Sequence, residues 1–99
     1  MNIFIIENRD VEDNYMAIEG IFSEEQTADE ESKLIGEPFW HEIVVSKHEL
    51  GYFSSYVYIV QTTDELAYLV FSSDTNAKEF ADTIGLDYSN ITRYKVNHI

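Results

Sequence analysis

Residues 21–36 and 70–85 of this 99-residue chain are two versions of one segment, separated by a constant offset of 49 positions. Ile21-Phe22-Ser23 falls on Val70-Phe71-Ser72, Ala28 on Ala77, Glu30 on Glu79 and Ile35-Gly36 on Ile84-Gly85. The matched stretch holds the end of an apolar run, a helix start and a helix stop, so what is repeated is a structural unit. Each copy opens on a strand-length apolar run, Ile3-Phe4-Ile5-Ile6 and Tyr56-Val57-Tyr58-Ile59-Val60. A polar bend follows in each, Glu7 to Asn14 and Gln61 to Glu65, then a second strand, Tyr15 to Phe22 and Leu66 to Phe71. Closing strands are predicted near Phe39 to Val45 and Thr92 to Val96, with Gly51 at the junction between the copies.

Helix signals sit between the second and closing strands. Ser23-Glu24-Glu25-Gln26 has the form of a capping box, in which the serine hydroxyl accepts from the third helical N–H and the glutamine reaches back. Ser72-Ser73-Asp74 offers equivalent oxygens, and Gly36 and Gly85 stand where a residue of positive φ ends a helix. In the second helix Ala77, Phe80, Ala81 and Ile84 form an apolar stripe at i, i+3, i+4 and i+7. The same positions of the first helix hold Ala28, Glu31, Ser32 and Ile35. A buried unpaired carboxylate costs several kcal/mol, so the first helix is expected to be tilted, shortened or set at the sheet edge.

The predicted fold is α+β: one domain, 1–99, with pseudo-repeats 1–49 and 50–99. The tandem ββαβ order gives a mainly antiparallel sheet of about six strands with two helices on one face. The alternative is a ferredoxin-like βαββαβ core with an extra N-terminal strand.

Composition narrows the function classes. An apolar fraction of 44% argues against disorder, and the absence of Cys removes disulfides and thiolate metal sites. No apolar run approaches the roughly eighteen residues of a membrane helix, and the first residues lack a basic segment and a small-residue cleavage site, which points to the cytoplasm. A formal net charge of −13 repels nucleic acid and anionic membrane, so the expectation is no direct nucleic acid and no membrane, but attraction to basic surfaces.

Signatures of catalysis are missing. His41, His48 and His98 show no ligand spacing, so no metal and no cofactor is expected. The four glycines are dispersed and build no phosphate loop, and Ser23, Ser54, Ser55, Ser72 and Ser73 have no nucleophile-elbow context. The expectation is a protein that is not an enzyme, with no catalytic residues. The aromatics of Tyr52 to Tyr58 are expected to pack against cross-strand neighbours, and Trp40 stands beside Phe39 ahead of a closing strand.

The remaining signal is where the acids lie. Residues 1–49 carry thirteen acidic and three basic residues, against six and three in residues 50–99. Glu24, Glu25, Asp29, Glu30 and Glu31 place five carboxylates in eight residues, about 12 Å of helix. Dipole complementarity and solubility account for Glu24 and Glu25. Dipole complementarity does not account for the other three, nor for Glu7, Asp10, Glu12 and Asp13 in the neighbouring bend, which form either a solvated surface or a functional acidic one. Those nine residues are the candidate partner-binding set.

Phe22-Ser23 and Phe71-Ser72, each followed after four residues by alanine, resemble a strand–turn–strand–helix unit of small uncharacterised phage and bacterial proteins. The resemblance brings a phage-like setting and no functional residues. In that setting the net charge, the carboxylate density and the missing catalytic signatures suggest a non-enzymatic inhibitor in the host cytoplasm, an anti-CRISPR or anti-restriction DNA mimic whose acids occupy the basic, nucleic-acid-binding surface of a nuclease, restriction or CRISPR effector. The competing expectations are an immunity protein or antitoxin that blocks a cationic nuclease, and a structural or assembly module that forms a homodimer.

Overall fold

The computed structural model describes residues 1–10, 12, 15–36, 41–51, 55–62 and 67–97. Elements follow the repeat: β1 (Asn2–Asp10), β2 (Tyr15–Phe22), α1 (Glu25–Ile35), β3 (His41–Glu49), then β4 (Tyr56–Gln61), β5 (Tyr68–Phe71), α2 (Asp74–Ile84), a 3-10 turn (Tyr88–Asn90) and β6 (Ile91–Lys95). The α+β class, the tandem ββαβ order, the six antiparallel strands and the two helices are as the sequence predicts.

The strands divide between two sheets, ordered β2-β1-β3 and β5-β4-β6, each built from one copy of the repeat. In each, the first strand is central and antiparallel to both neighbours. Among the described residues no strand of one copy pairs with a strand of the other, which removes the ferredoxin-like alternative and the single continuous sheet.

The reason is written in β1, which is apolar on both faces. Ile3 and Ile5 join Ile21, Val57, Ile59 and Val96 in a core cluster drawn from both sheets. Phe4 and Ile6 point the other way and pack with Phe22 and Ala28 beneath α1. A single sheet with both helices on one face would leave Ile3 and Ile5 in water. Stacking the sheets buries them, and the helices then take the outer faces: α1 lies over β1, β2 and β3, and α2 over β4 and β5.

A β-bulge refines this core. Ile6 pairs with Gly20 and Glu7 with Ile18, so Glu19 is the extra residue on β2. The shift lets Ile18 and Ile21, three residues apart, serve the same inter-sheet core. Glu19 itself accepts from Asn8 Nδ2 at 3.1 Å.

The helices depart from expectation in two ways. α1 is neither shortened nor set at an edge: it has eleven residues, as α2 does, and lies across all three strands of its sheet. Ala28 makes the close approach, and Glu31 stays half-exposed, so the burial penalty is not incurred. The predicted capping box does not form either. The N-cap of α1 is Glu24, which makes no side-chain cap bond. Ser23 is instead engaged by Asn97, whose Oδ1 accepts from the Ser23 backbone N–H at 3.0 Å and whose Nδ2 donates to Ser23 Oγ at 3.1 Å. In α2 a cap does form within the Ser72-Ser73-Asp74 stretch, but at Ser73, which accepts from the Asn76 N–H at 3.2 Å and lies one residue beyond the serine aligned with Ser23.

Candidate functional site

Glu7 is the first of the predicted partner-binding acids, and the structure removes it from the surface. It lies in phase with Ile3 and Ile5 on β1, so strand alternation carries its side chain into the layer between the sheets. Only 2% of it is exposed. Burial alone would drive the carboxyl up, but hydrogen bonds from Tyr68, Ser46 and Arg9, together with the Arg9 charge, outweigh it and hold Glu7 below the ordinary carboxylate value. Tyr68 Oη, on β5, donates to Oε2. Arg9 donates to Oε1 from Nε at 2.9 Å and from Nη2 at 2.6 Å.

His48 completes the group. On β3 it stands opposite Ile3, on the same face as Ser46, and its Nε2 lies 3.1 Å from Tyr68 Oη. The one phenolic proton of Tyr68 goes to Glu7, so His48 Nε2 must carry hydrogen and donate, leaving Nδ1 as an acceptor. Burial lowers the His48 value below its usual 6.5, partly offset by the Glu7 charge. Burial and then the Glu7 hydrogen bond raise Tyr68 well above its usual 10.0. Two strands of one sheet are thereby joined to an edge strand of the other. Above the network a cleft of about 390 Å³ is lined by Glu7, Arg9, Ser46, Lys47, His48, Ala67 and Tyr68.

The other predicted acids distribute along the first sheet. Asp10 ends β1, half-buried, its Oδ1 accepting from the Glu12 N–H at 3.1 Å, and Glu12 is exposed in the bend. Asp13 lies outside the described residues. Glu24 and Glu25 are exposed at the start of α1, Asp29 and Glu30 are exposed one turn on, and Glu31 is half-exposed. Phe4 pairs with Phe22 just ahead of α1, whereas Asp10 is six residues further along β1. The bend and the helix start are therefore about 20 Å apart. The structure groups the α1 carboxylates together and separates them from the bend.

Charge is handled differently on the two helices. On α2, Lys78 Nζ lies 3.0 Å from Asp74, and Tyr88 Oη donates to Asp82 at 2.8 Å. On α1, Glu30 accepts from Gln26 Nε2 at 3.1 Å, and among the described residues no ion pair is made by Glu24, Glu25, Asp29, Glu30 or Glu31.

The sequence did not single out Arg9, Ser46 or Tyr68. A signal for Glu7 existed: a charge in register with Ile3 and Ile5, on a strand apolar on both faces, must land in the core. His41 lies in β3. His98, Trp40 and the aromatics Tyr52 and Phe53 lie outside the described residues, while Tyr56 carries the Arg93 guanidinium 4.4 Å from its ring centre. Among the described residues no group of three or more His, Cys, Asp and Glu is placed to hold a metal, and no helix is long and apolar enough to cross a membrane. No protein-family model, curated protein or solved structure matches the chain.

Proposed function

We propose that this chain is a non-enzymatic acidic binding protein that lays the outer face of α1 on the basic, nucleic-acid-binding surface of a host protein and so inhibits it, acting in the host cytoplasm as anti-restriction and anti-CRISPR DNA mimics do. One observation carries the proposal: Glu24, Glu25, Asp29 and Glu30 are all exposed on one short helix and make no ion pair among the described residues. Helix geometry spaces them over about 10 Å, close to the phosphate spacing of nucleic acid. Fixed on a packed sheet, they meet a cationic partner without ordering a flexible tail, which lowers the entropic cost of binding.

The partner is a protein whose natural ligand is a phosphate backbone, such as a nuclease, restriction enzyme or CRISPR effector. An immunity protein or antitoxin would use the same contacts against a toxin nuclease. The test is affinity capture from the host at low and high salt, with wild type beside Glu24→Lys, Glu25→Lys, Asp29→Lys and Glu30→Lys combined. Capture of a basic partner that fades with salt is expected, with a loss of roughly tenfold or more in the combined variant. A partner that is not basic, or one held equally well by the variant, would overturn the proposal.

A further inference from the structure

We infer that the cleft over Glu7 is a binding site for a small oxyanion that carries both a charged oxygen and a hydroxyl, as hydrogen phosphate and α-hydroxy carboxylates do. The site lies between the sheets, on the side of the first sheet away from α1, and does not depend on the proposed acidic partner.

Arg9 supplies the anion contact. A guanidinium has five N–H donors in a planar fork, and two of them, from Nε and Nη2, are spent on Glu7 Oε1. The remaining Nη1 and Nη2 donors form a second bidentate edge, the geometry that oxyanions select. The bonds to the buried carboxylate order that edge in advance, which lowers the entropic cost of binding. Arg9 is 39% exposed and lines the cleft, so the edge is reachable from solvent.

His48 supplies the second contact. Its Nε2–H is committed to Tyr68, and burial keeps the ring neutral, so Nδ1 is an acceptor at neutral pH. His48 and Arg9 line the same cleft, and an acceptor and a cation offered together fit an anion that also donates. Hydrogen phosphate offers P–OH and a hydroxy acid offers C–OH, whereas a simple carboxylate at pH 7 offers no hydrogen. The charged side chains on the sheet face under the cleft are Glu7 and Arg9 on β1 and Glu42 on β3, with none from β5, where Tyr68 is held as a phenol; Lys47 borders the cleft, but as the register partner of Phe4 its side chain alternates to the α1 face. Glu42 is the register partner of Arg9 but makes no ion pair with it among the described residues. The volume of about 390 Å³ lies at the small-ligand end of the range for binding clefts.

The experiment titrates the whole chain at pH 7 and constant ionic strength with hydrogen phosphate, lactate and acetate, following the His48 ring and Arg9 guanidinium NMR signals. Saturable shifts at both residues are expected with phosphate or lactate, with acetate at least about tenfold weaker, the worth of one hydrogen bond. The anion that saturates at lower concentration identifies the source. Arg9→Lys keeps a cation beside Glu7 but lacks the second edge, and should lose at least about tenfold in affinity. Shifts that never saturate, acetate binding equal to the hydroxylated anions, or full affinity in a folded Arg9→Lys chain would each overturn the assignment. If Arg9→Lys does not fold, the three wild-type titrations still decide.

Discussion

The two halves follow one plan and spend it differently. The first has long strands of nine, eight and nine residues and the second has six, four and five. Five consecutive residues of β1, Ile3 to Glu7, are buried, and no other strand matches that. The second half has the better-made helix: Ser73 caps it, Gly85 in the left-handed region closes it by donating to Ala81 O and Asp82 O, two alanines are buried under it, and Phe80 packs on Phe71 with ring centres 5.4 Å apart. α1 has no side-chain cap, one buried alanine and a Gly36 at φ 75 and ψ 162, outside the left-handed helical region. The sequence suggests that residues 50–99 mainly stabilise the domain while residues 7–31 mainly meet a partner. The structure divides the first half internally instead: its strand is the heart of the core and its helix the unburdened surface.

The sharpest way to break that comparison is to cut into β1. Ile5→Ala should cost about 2–5 kcal/mol, a large part of a small domain's stability, measured by urea unfolding. Ile59→Ala, across the same cluster, should cost a similar amount; a much smaller loss at Ile5 would mean that the second half holds the core alone.

Next in size is the polar link between the halves. Tyr68→Phe takes a donor from a buried carboxylate and should cost about 2 kcal/mol. It should also change the pH dependence of stability. Glu7 is held below 4.5, so its contribution is full above that value and is lost as pH falls through the lower folded value. Removing one donor moves that loss to higher pH. Tyr68 is held above 10.0, so its contribution is full below pH 10 and is lost as pH rises beyond it, because the unfolded chain ionises first. Unfolding midpoints measured between pH 9 and 11 should therefore fall more steeply for wild type than for Tyr68→Phe.

The helix ends give smaller effects of opposite sign. Ser73→Ala should cost about 1 kcal/mol, since a working cap is lost. Glu24→Ser should gain about 0.5–1 kcal/mol, because the Glu24 backbone already has the extended cap conformation and lacks only a suitable oxygen. Thermal midpoints that move the same way in both variants would erase the distinction between the helices.

What the sequence discloses depends on how local the cause is. The limits of β2 are read correctly because both are set within a few residues, by the bend before Tyr15 and the Phe-Ser step after Phe22. Gly85 and the Ser72-Ser73-Asp74 capping stretch are legible for the same reason. Ser23 is not, because the group that takes it, Asn97, lies 74 residues away and outcompetes the local cap. Glu7 is legible only once β1 is known to be covered on both sides; until then it reads as one more acid in a charged bend. The division into two sheets is hidden because residue alternation tells which side chains share a face and not which strands share an edge.

Asn97, at a φ of 64, also donates its backbone N–H to Ile21 O at 2.7 Å, so the last described residue fastens the second sheet to the end of β2. That has a consequence for the growing chain. Synthesis delivers residues 2–49 well before 56–97, so the Ile3, Ile5 and Ile21 face emerges with nothing to cover it. A bare, strongly apolar sheet face is the kind of surface on which nascent chains aggregate. The half that must wait carries most of the negative charge, and mutual repulsion between waiting chains keeps them apart until the closing turn is made.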